Sequence, residues 1–394
     1  MIRFRRRASL TAPSSVASFD APSSLRSSVP FGVPLAVALA AALTVAGCSS
    51  TDTVETDRDG SSGATSAAAG SDAARPTIRI VTYDSFVLDP DVEAAIEAKL
   101  GVDLAISASG DGAEALAAAI LTAGRPEGDV FFGVDNILLS RALSEDVFVA
   151  HDDAELANLE AIPAALRMDE TNSLVPIDVG PVCVDYDAAW FAERGIEPPT
   201  DLASLAEERY AKLLVLQSPV TSTPGLVFLM ATHAALGDGA EEYWRRLVDG
   251  GAQIVSGWTE AWYERYTANG GEYPLVLSYA SSPPAEVFYS DGAVTEPLSK
   301  VLTETCAEQV EFAGVLRGSA NEALATKVLD ELLSLDYQQS LPLANFVYPA
   351  RPDAELPELF ERFAPRPAAA ITLDPTVIDE NRDRWIDQWR KIAG

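Results

Sequence analysis

Strands alternate with helices from residue 78 to the end of the chain, and that alternation narrows the fold more than any other feature. Ile78-Arg79-Ile80-Val81-Thr82-Tyr83 is apolar and β-branched, which predicts a first strand. Val92, Ile96 and Leu100 recur at i, i+4 and i+8 and give one apolar face to a helix that Gly101 ends. Val102 to Ile106 reads as a second strand, Ala113 to Ala123 as a second helix and Asp129 to Phe132 as a third strand. Leu174 to Asp178 and Val182 to Tyr186 are strands split by Gly180-Pro181. Further strands are predicted at Leu213 to Leu216, Leu275 to Tyr279 and Gln309 to Val315. Gly225 to Leu236 and Asn321 to Ser334 read as helices, and a last helix carries Ile378, Trp385, Trp389 and Ile392 along one side. Such alternation implies an α/β sheet with parallel neighbours. In open α/β sheets, ligands bind beyond the carboxyl ends of the strands. The loops there hold Asp84-Ser85, Asp111-Gly112, Asp135-Asn136, Thr221-Ser222-Thr223, Trp258 and Tyr279-Ala280-Ser281-Ser282.

Residues 1–47 read as an address rather than as structure. A basic cluster at Arg3, Arg5, Arg6 and Arg7 precedes an apolar run of 17 residues, Phe31 to Gly47. That run is short for a span of about 20 residues. It ends in Val45-Ala46-Gly47-Cys48, which resembles a bacterial lipobox. The resemblance implies cleavage before Cys48, lipidation of that cysteine, and work on the extracytoplasmic face of the cell membrane. A non-lipidated signal peptide and a membrane anchor are the alternatives. Residues 48–76 continue as Ser, Thr, Gly, Ala and Asp with almost no large apolar side chains. They cannot bury enough surface to fold and read as a flexible tether. The folded body is then residues 77–394, which fits two domains of ordinary size.

The chain carries 28 Lys and Arg against 59 Asp and Glu. Residues 1–47 hold five Arg and one Asp, so the remainder is more acidic still. That balance disfavours nucleic acid and anionic membrane surfaces as partners. Beyond Cys48 there are two cysteines, Cys183 and Cys306. In an oxidising compartment they can pair, and two buried free thiols are the alternative. His151 and His233 are the only histidines and have no clustered partners, so neither points to a metal site.

Several segments occur in a telling order. They are Thr82-Tyr83-Asp84-Ser85-Phe86, Asp129 through Asn136, Thr221-Ser222-Thr223-Pro224-Gly225, Gly257-Trp258-Thr259-Glu260-Ala261 and Leu277-Ser278-Tyr279 through Pro283. Asn345-Phe346-Val347-Tyr348-Pro349 and Trp385-Ile386-Asp387-Gln388-Trp389 follow near the end. Together they resemble the thiamine-binding proteins of bacterial ABC importers, over nearly all of the body. The resemblance implies a type II periplasmic-binding-protein fold: two α/β lobes joined by hinge strands, with the ligand cleft between them. It places residues 77–179 and 308–394 in lobe 1 and residues 180–307 in lobe 2. It also implies a monomer that captures thiamine or its monophosphate, needs no cofactor, docks on the membrane subunits of an ABC permease and has no catalytic residues. Cys183 and Cys306 then fall on neighbouring strands, where a disulfide is expected.

The chemistry of such a ligand agrees with the residues. Thiamine joins an aminopyrimidine to a cationic thiazolium ring, so a site needs aromatic faces, acceptors and negative charge. Tyr83, Trp258, Tyr279 and Phe346 supply faces, although core packing is the usual fate of an aromatic. Asp84, Asp111 and Asp135 are the candidate carboxylates, and each also suits a helix cap or a turn. Ser85, Gly112 and Ser281 sit beside them in the same loops. Thr223 suits an N-cap with Pro224 at the first helical position, and the free N–H groups of such a start make an anion site. That places Ser222 and Thr223 near a phosphate or hydroxyethyl group. The chain departs from the family's pattern in lacking a Trp within Val87-Leu88-Asp89-Pro90, in Phe346 following Asn345, and in Val179 before the hinge glycine.

Two other classes compete. A thiaminase-like enzyme would use Cys183 as nucleophile, which requires a free thiolate. Binding of another cation, a polyamine or ferric iron, would keep the fold and change the cleft.

Overall fold

The computed structural model describes residues 74–394. The expected signal sequence 1–47, the lipidation site Cys48 and most of the tether 48–76 lie outside the described residues. Among the described residues, eleven strands form two sheets. In chain order they are β1 (Thr77–Thr82), β2 (Asp103–Ala108), β3 (Val130–Asp135), β4 (Val175–Val179), β5 (Val182–Asp187), β6 (Leu214–Gln217), β7 (Gln253–Val255), β8 (Leu275–Tyr279), β9 (Ser299–Ala307), β10 (Val310–Val315) and β11 (Tyr348–Pro349). One sheet has the order β11-β4-β10-β3-β1-β2 and the other β7-β6-β8-β5-β9.

Parallel neighbours form where a helix returns the chain, at β1 with β2 and β3 and at β6 with β7 and β8. The expectation of parallel pairing fails at β10, which is antiparallel to β3 and β4, and at β5, which is antiparallel to β8 and β9. The reason is the crossing between sheets. Gly180-Pro181 is far too short for a helical crossover, so the chain runs straight from β4 into the other sheet as β5. It returns through Glu308-Gln309, between β9 and β10.

Local chemistry sets the element ends. Asp89 accepts the N–H groups of Asp91 and Val92 and caps the helix Pro90–Leu100, which Gly101 closes in the left-handed conformation. Every residue of β3 is buried, as a central strand covered on both faces requires. On one face of the first sheet, Ile80, Phe132, Ile177 and Ala313 pack with Leu329, Leu332 and Tyr337. The helix Thr223–Leu236 is apolar on all sides and buried along most of its length.

The C-terminal helix Pro375–Ala393 departs from the expected placement of 308–394 in one lobe. Trp385 stacks on His233 at 4.3 Å and Trp389 meets Trp244 edge-on at 6.2 Å. Both partners lie on helices that cover the second sheet, because the tryptophan face predicted for this helix needs an apolar surface to cover. His233 is thus a packing residue. Cys183 on β5 and Cys306 on β9 are bonded, with sulfurs 2.00 Å apart and Cα atoms 4.1 Å apart.

Candidate functional site

A cleft of about 960 Å³, counted to its open mouth, lies between residues of the two sheets. Tyr83, Asp84, Ser85, Asp111, Gly112, Thr223, Trp258, Tyr279 and Phe346 all line it, so most of the residues singled out from the sequence converge here.

The first sheet supplies Tyr83 just beyond β1. Gly133 has φ +120°, and a Cβ there would lie 2.9 Å from the Tyr83 ring, so the bare backbone lets the ring lie down on β3. The Tyr83 hydroxyl donates to Glu311 Oε2 at 3.0 Å. Burial, then Glu311, pushes that hydroxyl's pKa well above the usual tyrosine range. Asn345 clamps the loop after Tyr83 by accepting the N–H of Val87 at 2.9 Å and donating to its carbonyl at 2.8 Å. Phe346 beside it is held at φ +53°, a rare conformation for a bulky side chain and the kind of strain that concentrates at ligand sites.

The second sheet supplies the larger aromatic wall. Trp258 stacks on Trp262 at 5.8 Å and tilts against Tyr279 at 6.3 Å. The Trp258 indole donates to Ser278 Oγ at 2.8 Å, which fixes the ring. A π-helical turn, Glu260–Arg265, follows and brings Trp262 and Tyr263 to the cleft. At Gly180 a Cβ would sit 3.2 Å from the Tyr279 ring, so the bare backbone leaves room for that side chain.

Contacts join the two halves across the cleft. Asp111 Oδ1 accepts the N–H of Gly112 and of Thr223, each at 2.8 Å, and its Oδ2 accepts the N–H of Trp258 at 3.2 Å. Burial raises the Asp111 pKa, and those N–H donors partly offset it. Thr259 Oγ1 donates to Asp84 Oδ1 at 2.8 Å. Phe346 meets Tyr289 at 5.6 Å. The anion site expected at the helix start is therefore filled by the protein's own carboxylate. The helix begins at Thr223, one residue earlier than predicted, with Ser222 as N-cap. Thr223 keeps an unpartnered buried hydroxyl in the cleft wall.

Three predicted residues are not brought to the cleft. Asp135 is fully buried, accepts the N–H of Leu138 at 2.7 Å and holds the turn after β3. Burial, opposed by the turn's N–H groups, pushes its pKa up to about 7. Ser222 is buried at the helix start outside the lining, with its hydroxyl unpartnered. Ser281 is also buried; the lining serine is its neighbour Ser282, whose Oγ contacts Ser278 Oγ at 2.8 Å.

The deepest polar groups were not singled out from the sequence. Asp178 on β4 and Glu311 on β10 line the cleft, with 2 % and 6 % exposure. Gln309 lines it as well, with Oε1 unpartnered. The available signal was a lone carboxylate inside each apolar strand, Val175-Pro176-Ile177-Asp178-Val179 and Val310-Glu311-Phe312. Tyr289, Trp262 and Tyr263 also join the wall. The lining thus holds four carboxylates (Asp84, Asp111, Asp178, Glu311), seven aromatic rings and no Lys, Arg or His.

Comparison with known proteins agrees with the geometry. The family described as bacterial extracellular solute-binding protein matches residues 128–367. A thiamine-binding periplasmic protein of Salmonella typhimurium is 31% identical over 81% of this chain and 94% of its own length. One of the same name from Escherichia coli is 30% identical over 81% of this chain and 94% of its own length. A solved periplasmic thiamin binding protein superposes with a TM-score of 0.71 at 28% identity, covering 81% of this chain and 97% of that one. Two α/β halves, a two-stranded crossing between them and a polar, aromatic cleft are the type II binding-protein arrangement, and the chain belongs to the bacterial extracellular solute-binding protein family.

Proposed function

We propose that this protein captures thiamine outside the cytoplasmic membrane and delivers it to the membrane subunits of an ABC importer. One observation carries the reading: the cleft combines seven aromatic rings with four carboxylates and has no basic side chain in its lining. Such a site favours a flat cation, because aromatic faces attract cations by about 0.5–2 kcal/mol each, more when desolvated. The similarity to thiamine-binding periplasmic proteins supplies the identity of the cation.

In this reading Tyr83, Trp258 and Tyr279 cover the ring faces. Gln309 accepts from the aminopyrimidine, the Asp178–Glu311 pair faces the cationic thiazolium, and Asp84 and Asp111 add further negative charge. The hydroxyethyl end lies toward the Thr223 hydroxyl, and the Asp111 carboxylate at that helix start disfavours the phosphate of the monophosphate there. Residues 77–179 with 308–374 form one lobe and residues 180–307 the other, with the hinge at Gly180-Pro181 and Glu308-Gln309. The helix Pro375–Ala393 rides on the second lobe. The body hangs as a monomer from a lipid on Cys48.

A binder is favoured over an enzyme because Cys183 is bonded to Cys306, is fully buried and does not line the cleft. A polyamine is the second reading, favoured by the same four carboxylates. Intrinsic tryptophan fluorescence of the purified protein, titrated with thiamine, with spermidine and with the uncharged hydroxymethyl aminopyrimidine, tests the proposal. Saturable quenching by thiamine at micromolar concentration or tighter is expected, with weak response to the other two. Tighter binding of spermidine would overturn it.

A further inference from the structure

Asp178 and Glu311 stand directly opposite one another on adjacent antiparallel strands. Side chains so paired lie on one face with Cβ atoms about 4.5–5.5 Å apart, and like charges there repel. Both residues are buried at the cleft floor. Asp178 Oδ2 has no hydrogen-bond partner, while Glu311 Oε2 receives the Tyr83 hydroxyl. The titratable groups that face the pair are Tyr83 beyond β1, Asp135 on β3, Tyr279 on β8 and Tyr337 on the helix Leu335–Ala344. None of these is basic, and the cleft lining offers no cation to balance two negative charges.

We propose that Asp178 and Glu311 share one proton in the empty cleft and release it to solvent when the cationic ligand enters. The inference rests on the thiamine reading and deepens it. The step balances simply: the ligand's fixed positive charge replaces the proton's, one O–H bond breaks, and the proton passes to the buffer. Burial holds both carboxyls above the ordinary carboxylate range, and the Asp178 charge raises Glu311 further while a hydrogen bond with Glu311 partly lowers Asp178, as a proton shared between them requires. The shared proton also sets specificity. A neutral ligand of the same shape cannot displace it, so the pair selects for charge as well as for aromatic surface.

Calorimetric titration of the full-length protein with thiamine, in two buffers of different ionisation enthalpy, counts the protons released. At about pH 7, release close to one proton per thiamine is expected, and affinity tightens by about tenfold per pH unit while the empty pair stays protonated, falling to about threefold where it is half-protonated. Asp178→Asn combined with Glu311→Gln removes both carboxyls and with them the proton they share. In that double variant, release at about pH 7 falls toward zero, the pH slope flattens and affinity drops about tenfold. Thiamine binding to the unaltered protein with the same heat in both buffers overturns the inference while leaving the ligand reading intact. Release that persists undiminished in the double variant overturns it too, since the proton then comes from elsewhere. Failure of thiamine to bind at all defeats the ligand reading and the inference with it.

Discussion

The carboxylate of Asp111, in the loop after β2, accepts the backbone N–H of Thr223 at 2.8 Å, and Thr223 opens a helix of the opposite lobe. The same carboxylate caps the helix Gly112–Leu121, so two helix starts from two lobes meet at one anion. Each helix start carries a partial positive charge, and the shared carboxylate holds the lobes together where they close.

That contact predicts the cost of losing it. Asp111→Ala leaves the N–H groups of Gly112, Thr223 and Trp258 without their acceptor. Hydrogen bonds to a charged group contribute about 1.5–3 kcal/mol each. Thiamine affinity is expected to fall by about 10- to 100-fold in a fluorescence titration, with little change in the circular dichroism of the unliganded protein. Asp111→Asn removes the charge and one of the two acceptor oxygens, and is expected to weaken thiamine binding more than binding of the monophosphate.

The Trp258 ring is the best-anchored face in the cleft, fixed by Ser278 and stacked on Trp262. Trp258→Ala is expected to weaken thiamine binding by about 1–3 kcal/mol and to remove most of the ligand-induced quenching. Unchanged affinity would move the ligand to another wall of the cleft.

The Cys183–Cys306 bond spans 123 residues and ties β5 to β9 inside one sheet. A bond of that span stabilises by about 2–5 kcal/mol. Cys183→Ala with Cys306→Ala, or reduction, is expected to lower the melting temperature by several degrees. Thiamine binding survives below that temperature, because neither cysteine lines the cleft.

Buried carboxyls give stability a pH dependence of known sign. The folded state raises Asp135 to about 7, chiefly by burial. A carboxyl raised on folding favours the folded state while it is protonated, so its contribution is complete below the ordinary Asp range, about 4, and is lost as pH climbs through about 7. Asp111, Asp178 and Glu311 shift in the same direction. The unliganded protein is expected to melt several degrees lower at pH 8 than at pH 5, a loss on the order of a few kcal/mol. A melting temperature that rises across that interval would contradict the assignment.

Much of the fold was legible because strand and helix periods carry it. The strand at Leu275–Tyr279 and the helices around Ile96 and Trp385 fall where apolar spacing puts them. The strand Ser299–Ala307 was not, because Lys300, Thr303 and Glu304 break its apolar pattern at the sheet edge. Antiparallel β5 and β10 were hidden for a different reason: strand direction is set by the short crossings between sheets, which leave no periodic mark. In the cleft, loop residues such as Asp84 and Trp258 announced themselves by position, beyond strand ends. Asp178 and Glu311 did not, since a carboxylate inside an apolar strand reads as an interruption until its cross-strand partner is known. Asp135 shows the converse, a strand-end carboxylate that turned inward to hold its own turn.

The most direct test of the account is equilibrium dialysis of the purified full-length protein against thiamine, followed by release and chemical identification of what was bound. One intact thiamine per protein, held at micromolar concentration or tighter and displaced weakly by spermidine, is the predicted result. Folded protein that retains no thiamine, or that returns it cleaved, would contradict the account.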